Sequence, residues 1–414
     1  MKASDLIRIT ELMNSTRDID VLLERLLYEA RCITKADAGS IYLREGDTLE
    51  FKHVQNDTLS RLDPNANRHI YAKQAVAISE KSIAGYVALT GQCVCIPDVY
   101  KLDSSLPYSF NRSFDERSNY RTKSILTAPL ITEQEEIVGV MQLLNARDKN
   151  GKVRPFSKAA VMDINILAAN ALVALKRAGE LRELIDRMNR LAELRDPKET
   201  GNHVNRVSAY AVEIYQSWAK NHGYTDEEVM QGKDMLKIAA KLHDVGKVAI
   251  SDQILKKPGK LTDEEYADMK GHTTQGASLF KKLVTEWDGP ASEVALRHHE
   301  RWDGGGYPGN IVTDDQSSAS DADLHVKGNT AGVKFKGLKG EEIPIYGRIV
   351  ALADVYDALI SKRAYKEEWN EATVLDYIRE QSGKQFDPEV VDAFIAKYEI
   401  VCAIRNRYAD ADAE

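Results

Sequence analysis

One stretch is the most informative about the fold of the C-terminal half of the chain: His298-His299-Glu300-Arg301-Trp302-Asp303-Gly304-Gly305-Gly306-Tyr307-Pro308. Three consecutive residues that can bind a metal or move a proton end a predicted helix, and a glycine-rich turn follows them. Glycines let a backbone approach a ligand closely. A second polar pair, His243-Asp244, directly follows the apolar segment Leu236–Leu242. The two motifs together predict a polar site in a helical domain.

Further histidines and carboxylates lie around these two motifs. Seven of the nine histidines follow residue 200. Glu199 and His203 are four residues apart and would share one face of a helix, while Asp354 stands in an apolar stretch. Imidazole and carboxylate ligands together suit zinc, iron or manganese, and such sets are typical of hydrolytic metal clusters. A lone histidine is more often structural, but this clustering favours a metal centre.

The two motifs also resemble the signature of a known family. His243-Asp244-Val245-Gly246-Lys247, followed by residues 298–308, is similar to the HD-GYP family of cyclic di-GMP phosphodiesterases, and the resemblance covers nearly all of residues 195–400. It implies an all-α HD-type metallohydrolase domain over residues 197–414. It also implies two or three divalent metal ions, usually iron or manganese, with Glu199 favouring three and Asp244 bridging two. The implied ligands are Glu199, His203, His243, Asp244, His272, His298, His299 and Asp354.

The resemblance implies that the phosphodiester bonds of cyclic di-GMP are hydrolysed to linear pGpG, GMP or both. A metal-activated water would attack phosphorus in line, with Asp244 and Lys247 as catalytic residues. Glu300 would either orient a neighbouring ligand or support the loop. For Arg363 and Lys366, an ordinary solvated charge is the alternative to a substrate contact. The implied substrate-binding residues are Lys247, Gly306, Tyr307, Asp357, Arg363 and Lys366.

The sequence departs from the family pattern by an insertion after the Gly-Tyr-Pro loop, over residues 310–336. Its central part, Thr313 to Thr330, is rich in aspartate, serine and alanine and nearly free of large apolar residues. This composition predicts a mobile loop. Because the insertion begins directly after Tyr307-Pro308, we expect it to act as a flap that alters substrate entry.

A repeat of apolar residues every seven positions occupies residues 157–196. It favours a long helix in a dimeric coiled coil that links two domains. The alternative is one long helix packed on a globular domain. Asp196-Pro197 ends the helix, because proline disfavours helical geometry at the preceding residue. The two seams consist of Ile164, Ala171, Ala178, Ile185 and Ala192, and of Leu167, Ala174, Leu181 and Met188.

Residues 1–156 alternate strand and helix patterns and predict an α+β domain. The segments 82–91, 122–130 and 139–145 resemble a GAF domain, which implies a central antiparallel sheet flanked by helices and a sensory role. Residues 114–122 are similar to GAF domains that bind cyclic nucleotides, but the further motif of those domains is not kept at Asn145-Ala146. We therefore expect either another small-molecule ligand or a purely dimerising role.

Composition limits the remaining choices. The net charge of −8 argues against polymeric nucleic acid as a partner. Without an apolar run of eighteen residues or a signal segment, we expect no membrane span and a cytoplasmic location. The leading hypothesis is thus a GAF-regulated, homodimeric cyclic di-GMP phosphodiesterase. The alternatives are a catalytically weak cyclic di-GMP receptor or scaffold, and a phosphohydrolase for another cyclic dinucleotide or nucleotide.

Overall fold

The structure is a computed structural model that describes residues 2–63, 75–132, 134–196, 201–312, 334–361 and 369–409. The chain divides into two compact units, residues 1–182 and residues 183–414. The helix α6 (Lys158–Glu193) belongs to both.

Unit 1 is built on one antiparallel sheet. Its strands are β1 (Ala36–Glu45), β2 (Thr48–Asn56), β3 (Ala75–Ala77), β4 (Val94–Ile96), β5 (Ile125–Ile131) and β6 (Ile137–Ala146). They pair in the order β3-β2-β1-β6-β5-β4. Successive side chains of a strand point to opposite faces, so Ile41 and Tyr42 of β1 enter two different hydrophobic clusters. The predicted α+β fold with a central antiparallel sheet is confirmed.

Helices cover both faces of this sheet. Besides α6, they are α1 (Ala3–Ser15), α2 (Ile19–Thr34), α3 (Asp57–Leu62), α4 (Ile83–Thr90) and α5 (Ser113–Ser118). The carboxylate of Asp18 starts α2 by accepting hydrogen bonds from the amides of Asp20 and Val21. One cluster joins the sheet to α1, α2 and α6, and the other joins it to α4.

The apolar repeat of α6 is used inside unit 1 along its first half. Ile164, Leu167, Ala171, Ala174 and Ala178 are all buried in the cluster shared with α1 and α2. The long helix is therefore confirmed, and this part of it corresponds to the alternative of a helix packed on a globular domain. Pairing with a second chain stays a prediction.

The apolar character of α6 also bears on membranes. An 18-residue window reaches a mean hydropathy of 1.5, so the helix is long and apolar enough to cross a membrane by composition alone. That differs from the expectation drawn from the sequence. A third of that window is buried, and its buried apolar residues belong to the cluster shared with α1, α2 and the sheet.

Unit 2 is helical except for one short hairpin among the residues described. The helices are α7 (Gly201–Asn221), α8 (Asp226–Lys241), α9 (Asp252–Leu255), α10 (Asp263–Lys270), α11 (His272–Ser278), α12 (Asp288–Arg297), α13 (Ile345–Ile360), α14 (Glu371–Glu380), α15 (Pro388–Ala396) and α16 (Tyr398–Arg407). Helix α7 packs on α8, α13 and α15, and α12 packs on α8, α11 and α13.

The predicted helical fold of this domain is confirmed, and the hairpin is an addition to it. Strands β7 (Asn310–Val312) and β8 (Lys334–Lys336) pair in antiparallel fashion. They are the two ends of the predicted insertion. Its centre, where the mobile flap was predicted, lies outside the described residues.

Candidate metal centre

The helices of unit 2 bring the predicted ligands together from distant parts of the chain. His203 lies on α7 and Asp354 on α13, while His272 begins α11. His243-Asp244 directly follows α8, and His298-His299 directly follows α12. Helix ends and faces from five elements therefore meet at one place.

Asp244 is the centre of this arrangement. Its Oδ2 lies 3.1 Å from Nε2 of His243, and its Oδ1 lies 3.2 Å from Nε2 of His272 and 3.5 Å from Nε2 of His298. The ligand atoms form two groups, each within 4.8 Å: His203, His243 and Asp244, and Asp244, His272, His298 and His299. One carboxylate thus faces both groups, as a bridging ligand between two ions would.

Asp354 lies beside the first of these two groups of ligand atoms, and His299 belongs to the second. Oδ1 of Asp354 lies 3.4 Å from Nε2 of His203. The ring of His299 lies 4.1 Å from that of His298 and 5.1 Å from that of His272, measured between centroids. Each side of Asp244 therefore has several nitrogen or oxygen donors in reach.

Hydrogen bonds at the far nitrogen fix the orientation of four imidazoles. Nδ1 of His243 lies 2.8 Å from the carbonyl oxygen of Ala240, and Nδ1 of His272 lies 2.7 Å from that of Met269. Nδ1 of His298 lies near the carbonyl of Val294, and Nδ1 of His203 near Asp357. A carbonyl oxygen accepts a hydrogen bond, so in the first three rings Nδ1 carries a hydrogen and Nε2 is the nitrogen turned toward the centre.

Two buried atoms test whether this donor set fits a cation. Nε2 of His243 and Oδ1 of Asp244 have no hydrogen-bond partner among the residues described, despite their nearby ionisable neighbours. A buried polar atom without a partner is costly. A divalent metal ion would satisfy both atoms, and imidazole plus carboxylate is a donor set that suits it. The residues present fit a metal centre.

The electrostatics agree with a site that is short of positive charge. Burial opposes a charged imidazole at His243, but the adjacent Asp244 outweighs it and raises the pKa of His243 to about 9. Burial likewise opposes ionisation of Asp244, and the surrounding histidines nevertheless hold its pKa well below its usual range. Burial lowers the pKa of His298 and His299, so these rings stay neutral and able to donate electron pairs.

Lys247 stands at the edge of the same centre. Its Nζ lies 2.9 Å from Oδ2 of Asp244 and 3.9 Å from Oδ2 of Asp196, and its side chain is partly exposed. It lies on the 3-10 turn Val245–Ala249, which follows the His-Asp pair. The ammonium group thus contacts the carboxylate that faces both groups of ligands, and the catalytic role of Lys247 stays a prediction.

Sequence reasoning missed how the end of α6 holds this turn. The guanidinium group of Arg195 donates to the carbonyl oxygens of Val248 and Ile250, the second at 2.8 Å, and to Oδ1 of Asp252 at 2.8 Å. Asp186, two turns earlier, pairs with the buried Lys241 at 3.0 Å. No spacing in the sequence ties Arg195 to the turn.

Asp357 is placed differently from its prediction as a substrate-binding residue. Its side chain is only 1% exposed and lies behind His203, with Oδ2 2.8 Å from Nδ1 of that ring. Arg206 donates to both of its oxygens, at 2.7 and 2.9 Å. These bonds lower the pKa of Asp357 in spite of its burial. Asp357 therefore orients a predicted ligand from behind, because neither oxygen faces the solvent side of the site.

Glu300 supports the Gly-Tyr-Pro loop, which was one of its two predicted roles. Its carboxylate accepts hydrogen bonds from the amides of Gly309 at 2.7 Å and Leu338 at 3.0 Å, and from Arg297 at 3.2 Å. Burial raises the pKa of Glu300. The carboxylate thus holds both ends of the segment that carries the hairpin β7–β8.

The predicted loop residues Gly306 and Tyr307 have different tasks. A Cβ atom on Gly306 would lie 2.3 Å from the backbone nitrogen of Arg301, so only glycine fits this fold-back. The ring of Tyr307 stacks on His299 with centroids 4.8 Å apart. Gly306 shapes the loop, and Tyr307 lies against a predicted metal ligand.

Three predicted site residues lie outside the described residues. They are the third-metal ligand Glu199 and the substrate contacts Arg363 and Lys366. Their roles stay predictions.

In unit 1, the residues that resemble cyclic-nucleotide-binding GAF domains are bonded within the domain. The carboxylate of Asp115 accepts from the hydroxyl of Tyr100 and from the amide and hydroxyl of Thr122, at 2.7 to 2.8 Å. The amide of Asn145 joins Tyr120 to the backbone of Arg121 and Lys123. These contacts stabilise the fold. A small-molecule ligand stays a prediction.

Comparison with known families identifies both units. Residues 18–175 match the model of the GAF domain, and residues 200–359 match that of the HD domain. The chain therefore contains a GAF domain followed by an HD domain, which confirms the combination predicted from the motifs. The GAF match extends into α6, in agreement with the packing of that helix on the sheet.

Among curated proteins, the chain is similar to enzymes of cyclic dinucleotide signalling. It is 38% identical over 248 residues to a "Probable cyclic di-GMP phosphodiesterase" of Vibrio cholerae, covering 58% of this chain and 50% of that protein. It is 38% identical over 224 residues to the "Cyclic di-GMP phosphodiesterase response regulator RpfG" of Xanthomonas campestris, covering 53% and 50%. It is also 35% identical over 241 residues to the "3'3'-cGAMP-specific phosphodiesterase 2" of Vibrio cholerae, covering 58% and 39%. The chain thus spans half or less of the length of these relatives.

Proposed function

We propose that the chain hydrolyses the phosphodiester bonds of cyclic di-GMP to linear pGpG, GMP or both. The observation that carries this proposal is the position of Asp244, a buried carboxylate whose two oxygens face two groups of histidines. The names of the relatives support the substrate class, since two of the three compared are called cyclic di-GMP phosphodiesterases.

The proposed metal ligands follow from the two groups. His203, His243 and Asp354 would hold one ion with Asp244, and His272, His298 and His299 would hold a second with the same carboxylate. Glu199 would serve a third. Iron or manganese fits mixed imidazole and carboxylate ligands. When bound, such ions lower the pKa of a water molecule and offset the negative charge of a phosphodiester.

Side chains of the protein would position the substrate and the metal ligands. Lys247 would donate a hydrogen bond to a phosphate oxygen or to the leaving oxygen, since its partly exposed ammonium group lies 2.9 Å from Oδ2 of Asp244. Asp357 and the backbone carbonyls behind the histidines would keep Nε2 of each ring directed inward. Tyr307 would pack against the dinucleotide beside His299.

Regulation and assembly form the second part of the proposal. The GAF domain would control hydrolysis in a homodimer, and a ligand would change activity only by binding two arrangements of the protein with different affinity. The contacts of Arg195 support such coupling, because they join the end of α6 to the turn that carries Lys247. A cytoplasmic location stays a prediction.

Turnover of defined substrates tests the proposal. The full chain, stripped of metal and reconstituted with iron or manganese without oxygen, should convert cyclic di-GMP to pGpG or GMP, as measured by liquid chromatography. The metal-free chain is the control. Binding without turnover would favour a receptor, and turnover of 3'3'-cGAMP with no turnover of cyclic di-GMP would replace the proposed substrate.

A further inference from the structure

Helix α10 places two side chains beside the Gly-Tyr-Pro loop that no motif singled out. The rings of Tyr266 and Tyr307 meet edge to face with centroids 6.4 Å apart. The ammonium nitrogen of Lys270 lies 5.1 Å from the ring centre of Tyr266 and 5.8 Å from that of Tyr307. Since Tyr307 stacks on His299, a layer of rings runs from a proposed metal ligand to Tyr266 at its outer end.

Tyr266 does not contribute to a hydrophobic core. It is 49% exposed, and α10 has no buried residue among its eight. A cation near the end of a helix is favourable in itself, which would account for Lys270 alone. It does not account for a lysine that lies over two tyrosine rings, one of them in contact with the metal centre.

This combination matches the chemistry of a nucleobase. Purines stack on aromatic side chains, and a lysine beside the stack can donate to a base oxygen or to a phosphate. The ring of Tyr266 stands one ring beyond Tyr307, on the way from the proposed ions to solvent. A dinucleotide with one phosphate at the ions has a base within reach of such a surface.

We propose that Tyr266 and Lys270 form a subsite that binds one purine base of the cyclic dinucleotide. This inference rests on the proposed function and adds residues to its substrate site. It assigns them to recognition of the base, so they should affect affinity for the nucleotide and leave the chemistry at phosphorus unchanged.

Two substrates separate these effects. Cyclic di-GMP carries bases, whereas bis(p-nitrophenyl) phosphate is a phosphodiester without them. In the metal-loaded full chain, Tyr266→Ala should raise KM for cyclic di-GMP about tenfold, the change given by about 1.4 kcal/mol of lost stacking. It should leave kcat unchanged both for cyclic di-GMP and for bis(p-nitrophenyl) phosphate, because the chemistry at phosphorus is the same. Lys270→Met should raise the same KM several-fold.

Matched variants keep the test specific. Tyr266→Trp preserves a stacking surface and should retain the low KM. Tyr224→Ala removes another exposed tyrosine of unit 2, 43% exposed, and should change neither substrate's kinetics. An unchanged KM for cyclic di-GMP in Tyr266→Ala would overturn the subsite, and so would an equal loss of kcat on both substrates.

Calorimetric titration of cyclic di-GMP separates this inference from the proposed function. If the chain binds cyclic di-GMP without turnover, the proposed function fails, but Tyr266→Ala should still weaken Kd about tenfold. Binding with an unchanged Kd in that variant would overturn the subsite alone. Absence of both binding and turnover would overturn both.

Discussion

Each unit of the chain contains a buried aspartate surrounded by polar groups, and the two clusters differ in what surrounds the carboxylate. Asp37 of unit 1 is 5% exposed and accepts hydrogen bonds from Thr58, Tyr120 and Arg147. Asp244 of unit 2 is 7% exposed and faces imidazole nitrogens, with Oδ1 lacking a hydrogen bond among the residues described.

The two clusters differ in the hydrogen-bond donors that surround the carboxylate. Around Asp37, hydroxyl and guanidinium groups supply hydrogens to both oxygens, so the carboxylate is satisfied by the fold itself. Around Asp244, three imidazoles donate from Nδ1 to backbone carbonyls and turn Nε2 toward the carboxylate, and the ammonium group of Lys247 lies 2.9 Å from Oδ2. The first cluster is therefore satisfied by the fold itself, whereas the second, in which Oδ1 of Asp244 has no hydrogen bond among the described residues, is the proposed metal site.

The largest expected effect comes from removing the charge of Asp244. Asp244→Asn keeps the size of the side chain but takes away the anionic bridge, so bound metal should fall to background and hydrolysis of cyclic di-GMP with it. His243→Ala combined with Asp244→Ala should do the same. Metal content by mass spectrometry and product formation measure this. Hydrolysis that survives in the double variant would refute the assigned site.

Lys247 should affect the rate without affecting the metal. Lys247→Met removes the proposed donor to the phosphate, and kcat should fall by about 10²-fold, the usual cost of losing one donor to a transition state. Metal content should stay at the level of the unchanged chain. Lys256→Met, which removes an exposed lysine paired only with Asp252 among its described contacts, is the control. A loss of metal in Lys247→Met would instead make the lysine part of the structural support of Asp244.

Asp357 should affect metal affinity at intermediate strength. Asp357→Asn weakens the hydrogen bond that orients His203, and metal affinity should fall about 10- to 100-fold. Competition with a metal-binding dye measures it. Asp387→Asn disturbs another buried aspartate of unit 2, paired with Arg348 at 2.7 Å, and should leave metal affinity unchanged. Equal losses in the two variants would reduce the effect of Asp357 to general destabilisation.

Asp37 should matter for stability alone. Asp37→Asn leaves Arg147 without its charged partner and should lower the free energy of unfolding by about 2 kcal/mol, with metal content unchanged. Burial opposes ionisation of Asp37, but its donors, Arg147 first, outweigh this and lower its pKa. A lowered pKa stabilises the fold above the unfolded value near 3.8. The advantage over the variant should therefore be full at neutral pH and disappear as pH falls through the folded pKa. A constant difference down to low pH would contradict this.

The sequence was sufficient to predict a GAF domain followed by an HD domain, and to single out the histidines and carboxylates that meet around Asp244. His243-Asp244 and His298-His299 are adjacent pairs at helix ends, so a motif locates both members at once. Asp354 and Asp357 show the limit, because they lie three residues apart on one helix and the sequence does not tell which of them faces the site. One carboxylate lies near Nε2 of His203 and the other near Nδ1.

The heptad repeat shows a second limit. A seven-residue apolar pattern specifies that a helix buries one stripe, and it does not specify what covers the stripe. Along residues 164–178 the cover is the sheet and the first two helices of the same chain. Tyr266 was missed for a related reason. Its proposed role in binding a base depends on its position beside Tyr307, which is distant in sequence and near in space.

The bonds of Arg195 have a practical consequence for dividing this protein. The boundary predicted at residue 197 would remove the guanidinium group that holds the carbonyls of Val248 and Ile250, as well as the carboxylate of Asp196 near Lys247. A fragment cut there would lose the contacts that hold the turn carrying Lys247, and its reduced turnover could be mistaken for a dependence on the GAF domain. A fragment that starts near Leu184 keeps Asp186, Arg195 and Asp196, so its turnover is the fair baseline for measuring regulation.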